Sequence, residues 1–188
     1  MQPRKLIEFL NIIGKLKLNT RHVWSENGRQ ESVAEHSWRL TIMALLVADE
    51  FPEVDIDKVV KMCLIHDFGE AITGDIPSFY KTEQDEKTES QAIADLLKQL
   101  PETTANDFSE LFAEMEELRT AEAKLFKALD KLEAIVSHNE SPLDTWLELE
   151  HTENLIYGNE NVTHSDYLSD LREELRQDSI RKIAEEKT

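Results

Sequence analysis

The chain has 188 residues and a formal net charge of −18, with five glycines, five prolines and one cysteine. That length accommodates one domain over residues 1–188, burying roughly 70% of its unfolded surface. The acid excess disfavours DNA or RNA, whose backbone is held by cations that displace condensed counterions.

One cysteine excludes an internal disulfide and fits a reducing compartment. The first residues lack the uninterrupted apolar run of a signal peptide, and no apolar stretch approaches the roughly 18 residues needed to span a bilayer. A cytoplasmic protein with no membrane partner and no nucleic-acid polymer is expected. A small phosphorylated ligand is compatible with the charge, because a metal and one or two local cations reverse the field inside a cleft.

Leu, Ala, Glu and Lys recur at helical spacing and Val/Ile/Thr alternation is scarce, which predicts an all-α chain that needs no strands. Pro3 suits a first helical turn, and Leu6, Ile7, Leu10, Ile13 and Leu18 mark the face of a packed amphipathic helix. The period is lost over residues 19–29, which read as a loop. Arg21 and Trp24 are its unusual members: they could clamp a phosphate and cover a base, or serve as a capping arginine and a core plug.

Ser32-Val-Ala-Glu35 fits a capping box and starts a helix that runs to Phe51-Pro52, with His36 in its first turns. Alone, His36 reads first as a satisfied structural histidine. The next helix starts around residues 55–57 and is strongly apolar through Val59, Val60, Met62, Cys63, Leu64 and Ile65. It ends at His66-Asp67. An imidazole beside a carboxylate suits divalent zinc, manganese, iron or cobalt, and Gly69 and Gly74 bend the chain so that Glu70 and Asp75 pass the same spot.

Residues 80–88 are charged, as either a mobile lid or the solvated start of a helix carrying Ile93, Leu96, Leu97 and Leu100. Phe108, Leu111, Phe112, Met115 and Leu118 mark another core face. In the segment 120–136, Ala121, Leu125, Ala128, Leu129, Leu132 and Val136 form a buried stripe with Asp130 at its edge. An inward aspartate in a helix requires a partner or a metal. Two last helices are expected, one through Leu143, Trp146, Leu147 and Leu149 and one through Leu168, Leu171, Leu175, Ile180 and Ile183. The last few residues, through Thr188, are candidates for disorder.

The set His36, His66-Asp67 and Asp130 resembles the ligand pattern of HD-domain metal-dependent phosphohydrolases. The segments Glu-Ser-Val-Ala-Glu-His-Ser (31–37), His-Asp-Phe-Gly-Glu (66–70), Thr-Gly-Asp-Ile-Pro (73–77) and Glu-Ala-Lys…Lys-Ala-Leu-Asp (122–130) are similar to the branch that hydrolyses 5′-deoxynucleoside monophosphates. The resemblance covers about residues 5–150 and leaves the C-terminal helices, 151–185, without a motif.

The resemblance implies an all-α HD-domain helical bundle, commonly a homodimer. One divalent metal ion (Co, Mn, Zn, Fe or Mg) would be held by His36, His66, Asp67 and Asp130, and the substrate would be a nucleoside monophosphate. Glu70 and Asp75 would assist the reaction: Glu70 in proton transfer or water orientation, Asp75 in proton transfer to the leaving 5′ oxygen or in a sugar contact. Arg21 aligns with an arginine near the phosphate or sugar, with His22 and Trp24 beside it on the substrate side; apart from the resemblance, a cation of the charged stretch, Lys81 or Lys87, is expected to help hold the anionic substrate.

One departure concerns the order Arg21-His22 with the tryptophan at 24, where some bacterial members have Arg-Trp. It bears on selectivity for deoxyribose. An HD phosphohydrolase for another small phosphate ester, and a metal-stabilised nucleotide-binding module without turnover, are the competing readings. Glu70 and Asp75 beside the ligands favour an enzyme, since a structural site needs only the ligands.

Overall fold

The computed structural model describes residues 1–185, so the expectation of disorder at the extreme C-terminus falls on residues 186–188, outside the described residues. The fold is helical and is built around one long helix, α7 (Ala121–Glu140), which packs against α2 (Val33–Leu46), α3 (Ile56–Ile65), α6 (Glu102–Glu117) and α9 (Asp166–Glu185). Leu125, Ala128, Leu129, Leu132 and Ile135 of α7 meet Leu40 and Ala44 of α2 and Val59, Met62 and Cys63 of α3 in the main core. The stripe is wider than its sequence reading, taking in Ala123, Phe126 and Ile135, while Ala121 is exposed. Among the described residues no helix is long and apolar enough to cross a membrane.

Local signals place the helix starts. Ser32 accepts from the Glu35 amide while the Glu35 carboxylate accepts from the Ser32 amide, the expected capping box of α2. Asp55 caps α3 through the Lys58 amide. Thr82 and Asp85 form a second capping box that opens α5 (Glu83–Leu97), so the charged stretch after residue 80 is largely the solvated start of that helix. Gly69, just before the short α4 (Glu70–Thr73), lets α5 lie close: a Cβ there would sit 2.6 Å from Glu89 Cγ.

Three expectations need correction. Residues 19–29, read as a loop in a chain that needs no strands, instead lie largely in an antiparallel hairpin, β1 (Thr20–Trp24) and β2 (Gln30–Ser32), with Thr20 opposite Ser32 and Trp24 opposite Gln30. Only Ser25–Gly28 form the turn, with Gly28 at a φ of 78°. Val23 is buried and β1 lies on α7.

In α1 (Pro3–Ile13) the inward row is not the one expected. Phe9 is buried, with Ile12, Ile13 and the following Leu16 continuing at helical intervals, whereas Leu6, Ile7, Leu10 and Leu18 are exposed, Leu18 to 80%.

The penultimate helix is broken. Pro142 lacks an amide donor and ends α7 after Glu140, leaving a 3-10 turn at Leu143–Thr145 and a short α8 (Glu150–Glu153). Trp146 fills the corner, its indole N–H donating to the His138 carbonyl at 3.0 Å.

Candidate metal and phosphate site

The capping box sets the phase of α2, so that His36 in its second turn points at α7 and is 2% exposed. The last turn of α3 passes into His66 and Asp67. Both imidazoles have a settled tautomer. His66 Nδ1–H donates to the Cys63 carbonyl at 2.9 Å, and His36 Nδ1–H donates to the Glu133 carboxylate. That turns both Nε2 atoms toward Asp67 and Asp130, with ring centroids 5.3 Å apart. Against burial and Arg21, Asp130 and Glu133 raise the His36 imidazole to about 9, so a bound divalent ion would take the place of its Nε2 proton.

Asp67 Oδ2 lies 3.0 Å from His66 Nε2 and 4.0 Å from His36 Nε2. His36, His66 and Asp67 bring ligand atoms within 4.8 Å of one another, a group that could hold a metal ion. Asp130 Oδ1 stands 3.4 Å from His36 Nε2 and 3.8 Å from His66 Nε2, and its other oxygen takes the Lys127 ammonium at 3.1 Å. The donor set fits a divalent ion. Among the described residues the buried His66 Nε2 has no well-directed hydrogen bond, with Asp67 Oδ2 at 3.0 Å as its nearest carboxylate, and a divalent ion between them would satisfy both.

Electrostatics divides the carboxyl groups. Burial pushes Asp67 up, but His66 and then His36 outweigh it and hold it below the usual range. Asp130 is likewise pushed up by burial yet carried well below by Lys127, His36 and His66. Glu70 behaves oppositely. Burial, then Asp67, Asp75 and Glu89, raise it to about 10, with Lys81 opposing. Asp75 is raised by burial against the pull of Arg21.

Arg21 reaches the site from β1, with Nη1 2.7 Å from Glu31 and 3.3 Å from Glu133. Glu133 is fully buried and is shared by His36, Arg21, Ser137 and Arg39, whose Nε is 2.7 Å away. The sequence reading missed Glu133, Glu31, Arg39 and Lys127. Helical spacing held a signal for two of them, since Lys127 and Glu133 lie three residues either side of Asp130 and so share its face.

All of this opens into a cavity of about 990 Å³. His36, His66, Asp67, Asp130, Glu70, Asp75, Arg21, His22 and Lys81 all line it. Lys81 is also paired with Glu89. Trp24 does not line the cavity; it braces His22 edge-on, with centroids 4.7 Å apart. Lys131, His138, Glu150 and Asn154 line it without having been singled out in the sequence.

His138 yields a stability prediction. Burial, then Arg21 and His22, depress its imidazole to about 4, with Glu133 opposing. The unfolded chain binds a proton near pH 6.5 that the folded chain refuses until about 4. Stability from this residue is therefore complete above about 6.5 and lost as pH falls toward 4. Chemical denaturation of wild type and His138→Phe at pH 7 and pH 4.5 should show the wild type losing on the order of 1–3 kcal/mol more than the variant. Equal losses would mean that His138 is solvated.

The HD-domain family model matches residues 13–172. The 5′-deoxynucleotidase HDDC2 of Bos taurus is 37% identical over 141 residues, covering 73% of this chain and 68% of its own. That of Homo sapiens is 34% identical over 152 residues, covering 79% of this chain and 71% of its own. A crystal structure of a "Predicted metal-dependent phosphohydrolase" from Magnetospirillum magnetotacticum superposes with a TM-score of 0.80 at 30% identity, covering 95% of both chains. With the two imidazoles, the following aspartate and the α7 aspartate gathered at one point of a helical bundle, the chain belongs to the HD-domain family.

Proposed function

We propose that this protein removes the 5′-phosphate from (deoxy)nucleoside monophosphates, using one divalent ion held by His36, His66, Asp67 and Asp130. The observation that carries the reading is the convergence of the His36 and His66 Nε2 atoms with the Asp67 and Asp130 carboxylates, and of the buried Glu70 and of Arg21, on the wall of one cavity. The relatives named 5′-deoxynucleotidase support the substrate class. When bound, the ion lowers the pKa of a coordinated water from about 15.7 toward roughly 7 and polarises the phosphoryl group.

The chain's own residues do the rest. Arg21 spends Nη1 on Glu31 and Glu133, which fixes its plane and leaves further N–H groups for phosphate oxygens. Lys81 and Lys127, each paired with one carboxylate, add positive charge to the wall and offset the acid excess. The buried Glu70 serves in proton transfer or water orientation, and Asp75 on the same wall passes a proton to the leaving 5′ oxygen or contacts the sugar. The protein works in the cytoplasm on a small molecule, without a nucleic-acid polymer, as a homodimer for which the exposed row Leu6, Ile7 and Leu10 offers an apolar face.

The test is phosphate release from a panel of deoxy- and ribonucleoside monophosphates with several divalent metals and a chelated control. Metal-dependent release from the deoxynucleotides is expected; release from none of them would end the reading. Arg21→Lys should weaken kcat/KM with fold and metal content intact, because lysine offers a point charge where arginine offers a fork. Arg21→Ala should lose on the order of 2–4 kcal/mol of transition-state stabilisation. Unchanged kcat/KM in Arg21→Ala, with metal content measured in parallel, would reduce this arginine to a brace for Glu133.

A further inference from the structure

Asp130, Ala134 and His138 follow one another at single-turn intervals along α7, and all three line the cavity. The cavity therefore extends about two turns, ~12 Å, beyond Asp130, a length suited to a sugar and a heterocycle. At that end His138 Nε2 stands 3.7 Å from Glu150 Oε1, and His22 Nε2 stands 3.6 Å from Glu150 Oε2.

Glu150 and Asn154 are one helical turn apart, 2% and 5% exposed, and both line the cavity. Each is fixed on one side. Glu150 Oε2 accepts from the Leu147 amide at 2.7 Å, and the Asn154 backbone carbonyl accepts from Arg172 Nη2 at 3.0 Å. Each is unsatisfied on the other. Glu150 Oε1 and Asn154 Nδ2 have no hydrogen-bond partner among the described residues. A buried carboxylate acceptor beside a buried amide donor, both unmet, is a costly arrangement that a complementary ligand would relieve.

We propose that Glu150 and Asn154 form a base-edge subsite that favours nucleobases carrying an exocyclic amino group next to a ring acceptor, adenine and cytosine, over thymine and uracil. This rests on the nucleotidase reading for the phosphate end of the same cavity. The amino N–H donates to Glu150 Oε1 while the adjacent ring nitrogen accepts from Asn154 Nδ2, the pairing logic by which carboxylates read cytosine and amides read adenine. Thymine and uracil offer a single ring N–H flanked by two carbonyl oxygens. When that N–H meets Glu150, one carbonyl faces Asn154 and the other is pressed toward the carboxylate. Both contacts can form, but repulsion between the second carbonyl and the carboxylate weakens them.

The experiment compares kcat/KM of the metal-loaded enzyme for dAMP, dCMP, dTMP, dUMP and abasic 2-deoxyribose 5-phosphate. Each nucleotide is expressed relative to the abasic compound so that general losses cancel. Wild type should prefer dAMP and dCMP by about tenfold or more. Glu150→Gln keeps an oxygen for the Leu147 amide but brings an N–H2 to the subsite, and it should erase or reverse that ranking. Asn154→Ala should flatten it, and this variant carries the test if Glu150→Gln fails to fold. Calorimetric binding of deoxycytidine and thymidine, which lack phosphate, should show the same preference in wild type and its loss in the variants.

If phosphate is released but the bases rank equally, or the ranking survives both variants, the subsite is overturned and the nucleotidase reading stands. If nucleosides are discriminated yet no monophosphate is hydrolysed, the subsite stands and the nucleotidase reading fails.

Discussion

Asp67→Ala is expected to bring both metal content and phosphate release to background. Asp67 Oδ2 and Asp130 Oδ1 both approach the two imidazole Nε2 atoms, so removing Asp67 takes away the nearer partner of His66 and leaves Asp130 as the one carboxylate shared by the two histidines. The loss should exceed the 10–100-fold typical of residues that merely orient a ligand. The metal-free fold should survive, because deleting Asp67 relieves its repulsion with the neighbouring Asp130 carboxylate. Elemental analysis, phosphate release and thermal unfolding of the same preparation separate these effects. Full turnover in a chelated, metal-free sample of the wild type would sink the phosphohydrolase mechanism.

Glu133→Ala should be the most destabilising substitution. It strips a partner from His36, Arg21 and Arg39 at once, leaving two cationic side chains beside an empty position in the core. Breaking a buried pair of this kind costs about 3–5 kcal/mol, which for a chain of this size lowers the melting temperature by about 6–20 °C. Glu133 is itself held at about 2: burial raises it, but His36, Arg21 and Arg39 prevail. Its contribution is thus present above about pH 4.5 and lost as pH falls toward 2. Glu133→Gln, which keeps an acceptor but not the charge, should fall between. The same carboxylate fixes the tautomer of His36, so metal affinity should drop together with stability. A wild-type melting temperature in Glu133→Ala would show the network to be idle.

What the sequence made legible was local. The Ser32–Glu35 box, the Asp55 cap and the apolar run before His66 are written in neighbouring residues, and they place three of the four proposed ligands. Asp130 was legible because a carboxylate at the edge of an apolar stripe violates burial rules. Glu133 obeys no such warning, since a glutamate in a helix is ordinary until the fold turns it inward against Arg21 and Arg39. Glu150 and Asn154 were hidden for a related reason: the stop at Pro142 creates the short helix that carries them, where periodicity alone continued a longer one. The hairpin escaped because the turn residues Ser25–Gly28 dominate a short segment in which only Thr20, Val23 and Trp24 favour a strand. In α1, two rows share nearly the same period, and only tertiary packing chooses Phe9 over Leu6 and Leu10.

Cys63 has a further use that follows from its position. It is fully buried in α3, its thiol pushed far up by burial and by Asp130, and its carbonyl is the group that holds His66. In the closed state such a thiol is inert toward alkylating reagents. Its modification rate therefore counts the openings of the helix that delivers His66 and Asp67, and one natural sulfur becomes a clock for how often the segment bearing these two proposed ligands comes apart.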